Sequence, residues 1–404
     1  MRRLVASGII MSLAVCSVIV LTSSAESDDS PEITIEFGFN YEMVNNVCFS
    51  PDSKLLFTNA MHQVVSQGYT ASLWSWKEKR KISELKGDMA GRSCFISESE
   101  LVTIRSGLWL IKDIQQRPTA VPLAADPANA KPGPDRIYYT CVALSPCQTL
   151  CAAGRNDGII EIWDLRAKKK LHALEQETWV MSLVFSEDGS HLVSVGRGEK
   201  LTGLVARDPG IRLIGEVVVW DCRHDFRQLG AFRDTETAYH DVGIYNKGDT
   251  AAVLGFKIIR LAIKNERGDE ANTTADIPVL STFSLPKATR LRESKLWPNV
   301  PKAYRIHGEL EVSPDKKLLA IALSGGYLHP DILRGIVYNE VLLFELPNLR
   351  ELVRMRKGSY MPRTLAFSPD GKYLAISYTR EWDLLGRPFV DIWLVERLLK
   401  TQGK

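Results

Sequence analysis

Hydrophobic and polar positions alternate with period two along this chain, in short runs separated by polar turn clusters. The phrase LAFSPDGKYLAIS at 365–377 shows the unit: an apolar run, a Ser-Pro-Asp-Gly cluster and a returning apolar run. Strand-forming residues on both sides of such a cluster predict an antiparallel hairpin. Looser copies stand at 47–58, 142–154, 183–196 and 310–322, with weaker hairpins at 94–106 and 242–255. A second recurring phrase, a strand of β-branched and aromatic residues, closes each unit: 71–78, 107–113, 158–166, 215–223, 277–285, 339–347 and 389–396. The hairpin turns centre near Ser50, Ser97, Ser145, Ser186, Asn246, Ser313 and Ser368, spaced 47, 48, 41, 60, 67 and 55 residues apart. One hairpin leaves an apolar face bare, so these seven units must stack on one another to bury it.

The Trp-Asp pairs Trp163-Asp164 and Trp220-Asp221, together with FSPDGKYLAIS, resemble WD40 repeats over about residues 32–397. The resemblance implies an all-β, seven-bladed β-propeller of four-stranded blades. It also implies structural roles for Asp157, Trp163 and Trp220, the Asp joining a hydrogen-bond network with a Gly-His dipeptide. Gly-His is absent ahead of every unit, and only His240 and His307 stand near the expected place. Ile33, Ile35, Phe37 and Phe39 alternate with polar or small residues. That period-two strand is expected to pair with 389–395 and to close the ring, removing two open sheet edges.

The first 25 residues stand outside the fold. Arg2 and Arg3 precede the uncharged run 4–21, and Ser23-Ser24-Ala25 offers small residues for a signal peptidase. The pattern predicts a cleaved export signal, and an uncleaved membrane anchor is the alternative. Residues 26–31 then form a short polar linker, 32–397 the propeller and 398–404 a tail. The chain is 45% hydrophobic and its formal charge is +3, which argues for an ample core and against nucleic acid as a partner. Beyond the signal stand Cys48, Cys94, Cys141, Cys147, Cys151 and Cys222, read as free thiols because most lie in or near strands and no Cys-x-x-Cys occurs.

The unequal spacings locate the extra length. With the strands of a blade lettered a to d from the inside, the a–b and c–d turns are tight. The excess falls in b–c connections (197–214, 259–276, 324–338, 379–388) and d–a connections (124–138, 295–308). In an antiparallel meander these leave from one rim, and long loops on a rigid scaffold are the usual seat of function. The candidate binding residues there are Arg207, Trp297, Tyr327, His329, Arg334, Tyr338, Arg380, Trp382 and Arg387, of types that dominate interface energetics. Segment 264–276 lacks aromatics and reads as a solvated loop. On the other rim, Lys77, Lys79, Arg80, Lys168, Lys169, Lys170, Arg223, Lys287 and Arg290 mark a basic edge, a weak candidate for contact with a membrane surface.

The catalytic and cofactor motifs His-Glu-x-x-His, Gly-x-Ser-x-Gly, the P-loop and Gly-x-Gly-x-x-Gly are all missing from the sequence. His240 and Asp241 are neighbours and would point to opposite faces of a regular strand. No catalytic residue, metal or cofactor is expected. The reading is an exported, monomeric, non-catalytic platform for a protein or polymer partner, periplasmic or extracellular. The alternative is a hydrolase or lyase at the channel mouth, marked by three or more convergent ionisable groups.

Overall fold

The computed structural model describes residues 30–38, 41–62, 68–87, 91–104, 107–124, 137–198, 214–264, 270–297, 304–326, 337–380 and 387–400. Strand β1 (Ile33–Glu36) is followed by blade one: β2 (Tyr41–Phe49), β3 (Leu55–His62), β4 (Tyr69–Ser75) and β5 (Arg80–Gly87). Blade two is β6 (Ser93–Phe95), β7 (Leu101–Ile104), β8 (Leu108–Lys112) and β9 (Thr119–Ala124). Blade three is β10 (Tyr139–Leu144), β11 (Leu150–Arg155), β12 (Ile159–Asp164) and β13 (Lys169–Glu175). Blade four is β14 (Trp179–Phe185), β15 (His191–Arg197), β16 (Gly215–Asp221) and β17 (Arg227–Asp234). Blade five is β18 (Thr237–Tyr245), β19 (Thr250–Lys264), β20 (Glu270–Ser284) and β21 (Thr289–Lys295). Blade six is β22 (Tyr304–Val312), β23 (Leu318–Gly326), β24 (Val337–Glu345) and β25 (Arg350–Met355). Blade seven holds β26 (Tyr360–Phe367), β27 (Tyr373–Arg380) and β28 (Phe389–Leu394), with β1 on its outer side.

The innermost strands touch in sequence, β2 to β6, β10, β14, β18, β22, β26 and back to β2, which makes the seven sheets a ring. Apolar clusters fill the spaces between neighbouring blades: Leu254, Leu310 and Leu323 between five and six, Val195, Val219 and Val253 between four and five. The ring brings its ends together through antiparallel pairing of Ile33 with Ile392 and Ile35 with Val390.

The repeated Ser-Pro-Asp-Gly phrase acquires a physical meaning in the a–b turns. Ser50, Ser186, Ser313 and Ser368 each donate Oγ–H to the Asp two residues on, at 2.6–2.7 Å. The same Oγ accepts the backbone N–H five residues on, at 2.9 Å in all four turns. One hydroxyl therefore closes the turn and starts the returning strand. The residue following the Asp is left-handed; Gly189 and Gly371 take φ of 67° and 71° there without strain, and Lys316 and Ser53 tolerate 59° and 61°.

Two elements depart from the sequence reading. Of the segment 264–276, Lys264 and residues 270–276 are strand rather than loop: β19 and β20 pair continuously from Thr250↔Ser284 out to Lys264↔Glu270. The β-branched residues of IIRLAIK and the threonines of ANTTAD sustain the ladder well past the blade. Strand β28 is followed by a short helix, α1 (Val395–Lys400), whose Val395 and Leu398 are buried against blades six and seven.

Candidate functional site

Each blade turns its first strand toward the central channel, and most of these strands carry a register slip. The pairing skips Asn45 in β2, Thr140 in β10, Met181 in β14 and His240 in β18; in β22 and β26 two residues, 305–306 and 363–364, face one on the neighbouring strand. A bulge breaks the two-fold alternation and re-aims the side chains beside it. His240 and Asp241 are thus not on opposite faces of a regular strand.

One cation spans the channel. Arg92, just ahead of β6 in blade two, donates to both Asp241 oxygens in blade five at 3.2 and 2.9 Å, lies 3.4 Å from Glu309 in blade six and 3.5 Å from Ser182 in blade four. The Asp241 oxygens also accept the backbone N–H groups of Val242 and Leu310, both at 3.0 Å. With four donors on two oxygens, Asp241 is saturated, and its bidentate pairing with Arg92 is of the strong kind. Burial opposes the Arg92 charge, but the carboxylates of Asp241 and Glu309 hold its pKa well above the ordinary value. Three ionisable groups do converge in the channel, as the enzyme alternative required, yet their hydrogen bonds run to one another. The arrangement braces four blades.

The two ends of the channel differ. Toward the a–b turns, Glu311 borders a cavity of about 280 Å³ lined by Leu144, Phe185, Val242, Leu310 and Lys316 among others. Burial, reinforced by the Asp241 charge, raises the Glu311 carboxyl to about 7. Toward the opposite rim lie His240, His307, Arg363 and Arg197. The His240 and His307 rings meet edge to face at 5.7 Å, and His307 Nε2–H donates to the Arg363 carbonyl at 2.7 Å. Burial first and then the nearby arginines lower both imidazoles, His307 to about 3. Both rings are neutral in the folded protein at pH 7.

The residues expected to bind a partner fall into three groups. Arg207, Tyr327, His329, Arg334 and Trp382 lie outside the described residues, while Tyr338 pairs with Gly325 in β24 and Arg380 with Tyr360 at the end of β27. Arg387 lies on the described rim, 3.9 Å from Glu36. Trp297 is a correction: it is 3% exposed, packed against Ile306 and Leu323, and its Nε1–H donates to Glu340 at 2.7 Å. Its indole fills the space between blades five and six, where an apolar ring with one polar handle is stable only when that handle is paired.

Trp220, Trp163 and Asp157 are each hydrogen-bonded within their own blade. Trp220 donates to Ser194 Oγ at 3.0 Å, and Trp163 to Glu161 at 3.0 Å. Asp157 accepts from Arg155 at 3.0 Å and from the Ile159 N–H at 3.3 Å, so it closes its own b–c turn. All six cysteines are free; Cys141 and Cys151 are buried and Cys147 is exposed. Cys147 stands where other turns carry Asp, 3.3 Å from Ser145 Oγ and 2.9 Å from Thr149 Oγ1, and those hydroxyls lower its thiol to about 7. Much of the basic edge is engaged: Arg80 with Glu78, Lys170 with Glu161, Arg223 with Asp188, Arg290 with Asp234. No group of three His, Cys, Asp or Glu among the described residues could hold a metal ion.

Sequence reasoning missed Arg92, Asp241, Glu309, Glu311 and Arg363. A signal for two of them was present: in RIHGELEV (305–312), His307, Glu309 and Glu311 recur at period two within an otherwise buried strand. Acids on the alternate face of an innermost strand have only the channel to occupy.

The family model "WD domain, G-beta repeat" matches residues 132–164, the stretch that leads into blade three and ends at Trp163-Asp164. The chain carries a WD40 repeat at 132–164 within its seven-bladed propeller. Its similarity to curated proteins is local. Over 49 residues it is 45% identical to the small ribosomal subunit protein RACK1 of Candida albicans, covering 12% of this chain and 16% of that one. The RACK1z protein of Arabidopsis thaliana is likewise 45% identical over 49 residues, 12% of this chain and 15% of its own. The corresponding protein of Schizosaccharomyces pombe is 41% identical over 49 residues. The chain thus spans about a sixth of the length of these relatives. WD40 propellers are generally non-catalytic scaffolds that bind protein partners.

Proposed function

We propose that this propeller is a non-catalytic interaction platform of an exported or envelope protein, and that a protein or polymer partner docks on the rim from which the b–c and d–a connections leave. The distribution of chain length carries the reading. Every a–b and c–d connection between described strands is short, whereas Arg197 to Gly215 and Gly326 to Val337 are joined by 17 and 10 residues (198–214 and 327–336). Length kept on one rim of a braced ring is what a recognition surface needs. The saturated carboxylate of Asp241 supports a bracing role for the channel centre over a catalytic one. Export rests on Arg2, Arg3 and the uncharged run 4–21.

Two measurements test this. Tyr327→Ala with Trp382→Ala should reduce by at least tenfold the partner recovered by affinity capture from the native envelope, with melting unchanged; equal recovery would move the surface elsewhere. N-terminal sequencing of the chain from a fractionated native host should begin near Glu26 in the exported fraction. An intact Met1 terminus in the cytoplasmic fraction would remove export.

A further inference from the structure

The end of the channel toward the long connections holds a guanidinium with no carboxylate acceptor among the described residues. Arg363 sits in the β26 slip; its Nε is buried with no hydrogen-bond partner, and its Nη2 reaches only Met43 Sδ, at 3.3 Å. Among the described residues it forms no ion pair, and Glu309 and Glu42 act on it only from a distance. His240 Nδ1 is also buried and unpartnered, its ring held between Phe256 and His307. Arg197, at the end of β15, is desolvated and senses Asp276 and Tyr138 without pairing with either. Arg363 and Arg197 are half-buried rather than sealed from water, and a partly desolvated cation gains from an anionic partner. This channel does pair Arg92, fully, one layer below. Arg363 is left as positive charge without a carboxylate partner among the described residues, beside the His307 ring that donates to its own carbonyl.

We infer that this end of the channel is a binding site for a carboxylate, received by the Arg363 guanidinium beside the His307 and His240 ring pair. A planar guanidinium matches a carboxylate through two parallel hydrogen bonds. A single negative charge suits the site better than a phosphate dianion, because Glu309 and Asp276 stand nearby and burial already disfavours their charged forms. The carboxylate belongs either to a free small acid or to a side chain of a bound polypeptide. The site does not depend on the platform reading, since a small acid can occupy it with no partner present.

The test uses the purified chain labelled with ¹³C in its histidine rings and titrated with four probes: propionate, the capped tripeptide acetyl-Gly-Glu-Gly-amide, its Gln counterpart, and inorganic phosphate. Propionate or the Glu peptide should shift the His240 and His307 ring signals saturably, and the Gln peptide should not. Tighter propionate identifies a free acid as the natural source; a tighter Glu peptide identifies a polypeptide side chain. Arg363→Gln should weaken binding at least tenfold, and Arg363→Lys, which keeps the charge but loses the planar fork, about threefold. Should Arg363→Gln fail to fold, the Lys variant decides. No saturable shift with either carboxylate, unchanged affinity in the folded variants, or phosphate binding tighter than both carboxylates would each overturn the assignment.

Discussion

Glu311 shows what a single channel residue does to the whole. Its carboxyl is raised from 4.5 to about 7, by burial first and by the Asp241 charge second. The folded state therefore holds a proton that the unfolded chain has released, and between about pH 4.5 and 7 the folded state binds more protons. Linkage then makes stability fall as pH rises through that interval, and the contribution is fully present only below it. Glu311→Gln should flatten this part of the stability curve and raise the melting temperature at pH 8 relative to the wild type. Urea denaturation at pH 5, 6, 7 and 8 checks it, and parallel curves for the two proteins would show that the raised carboxyl has no bearing on folding. At this scale the sequence was least informative. Trp297 looks like an exposed anchor because its neighbours are polar and proline-rich, and only the packing of blade five on blade six shows it to be core. Arg92 and Asp241 are 149 positions apart, and no local pattern announces that they meet.

At the scale of elements the chain was far more legible, because hairpins are written locally. The serine that closes four of the a–b turns, the Asp two residues on and the apolar runs on either side sit within about a dozen residues, so their pattern survives without tertiary context. The bulges of the inner strands were not legible, since an extra residue in an apolar run looks like ordinary variation. Nor was the ribbon of blade five: ANTTAD is polar enough to read as a loop, while its threonines and the facing IIRLAIK make a workable ladder. That ribbon gives an element-scale prediction. Inner strand β18 reaches only to Lys257 and outer strand β21 only to Val279, so the ladder from Ile258↔Asp276 outward belongs to β19 and β20 alone. Replacing 258–276 by Asn-Gly, the preferred residues of a two-residue hairpin, should leave one cooperative melt within a few degrees of the parent. A loss of cooperativity by circular dichroism would mean that the ribbon is part of the fold's support.

For the molecule as a whole, the question is how far the ring depends on its two ends meeting. Strand β1 lies on β28, with Ile33, Ile35 and Phe37 buried at 8%, 0% and 6% exposure. Thr34 Oγ1–H donates to Asp391 at 2.7 Å, and the Glu32 and Phe37 N–H groups reach the carbonyls of Ile392 and Pro388 at 2.8 and 3.0 Å. Arg397 of the terminal helix adds an ion pair to Glu32 at 2.9 Å. Burying three large apolar side chains is worth roughly 1.5–3 kcal/mol each. Against a typical folding free energy of about 5–15 kcal/mol, that strand alone commands a large fraction. The ring has other ties across the same seam: Ser377 and Thr379 of β27 donate to the carbonyls of Val44 and Glu42 in β2 at 3.0 and 2.7 Å. The two sets of contacts make different predictions. If β1 carries the closure, removing residues 1–37 lowers the melting temperature by ten degrees or more, whereas removing only 1–29 does not. A peptide of residues 30–38 added in trans then restores part of the loss, and Ile35→Asp in the full chain reproduces it. Equal melting of the two truncations would place the closure in the β2–β27 contacts alone and leave β1 as a covering strand.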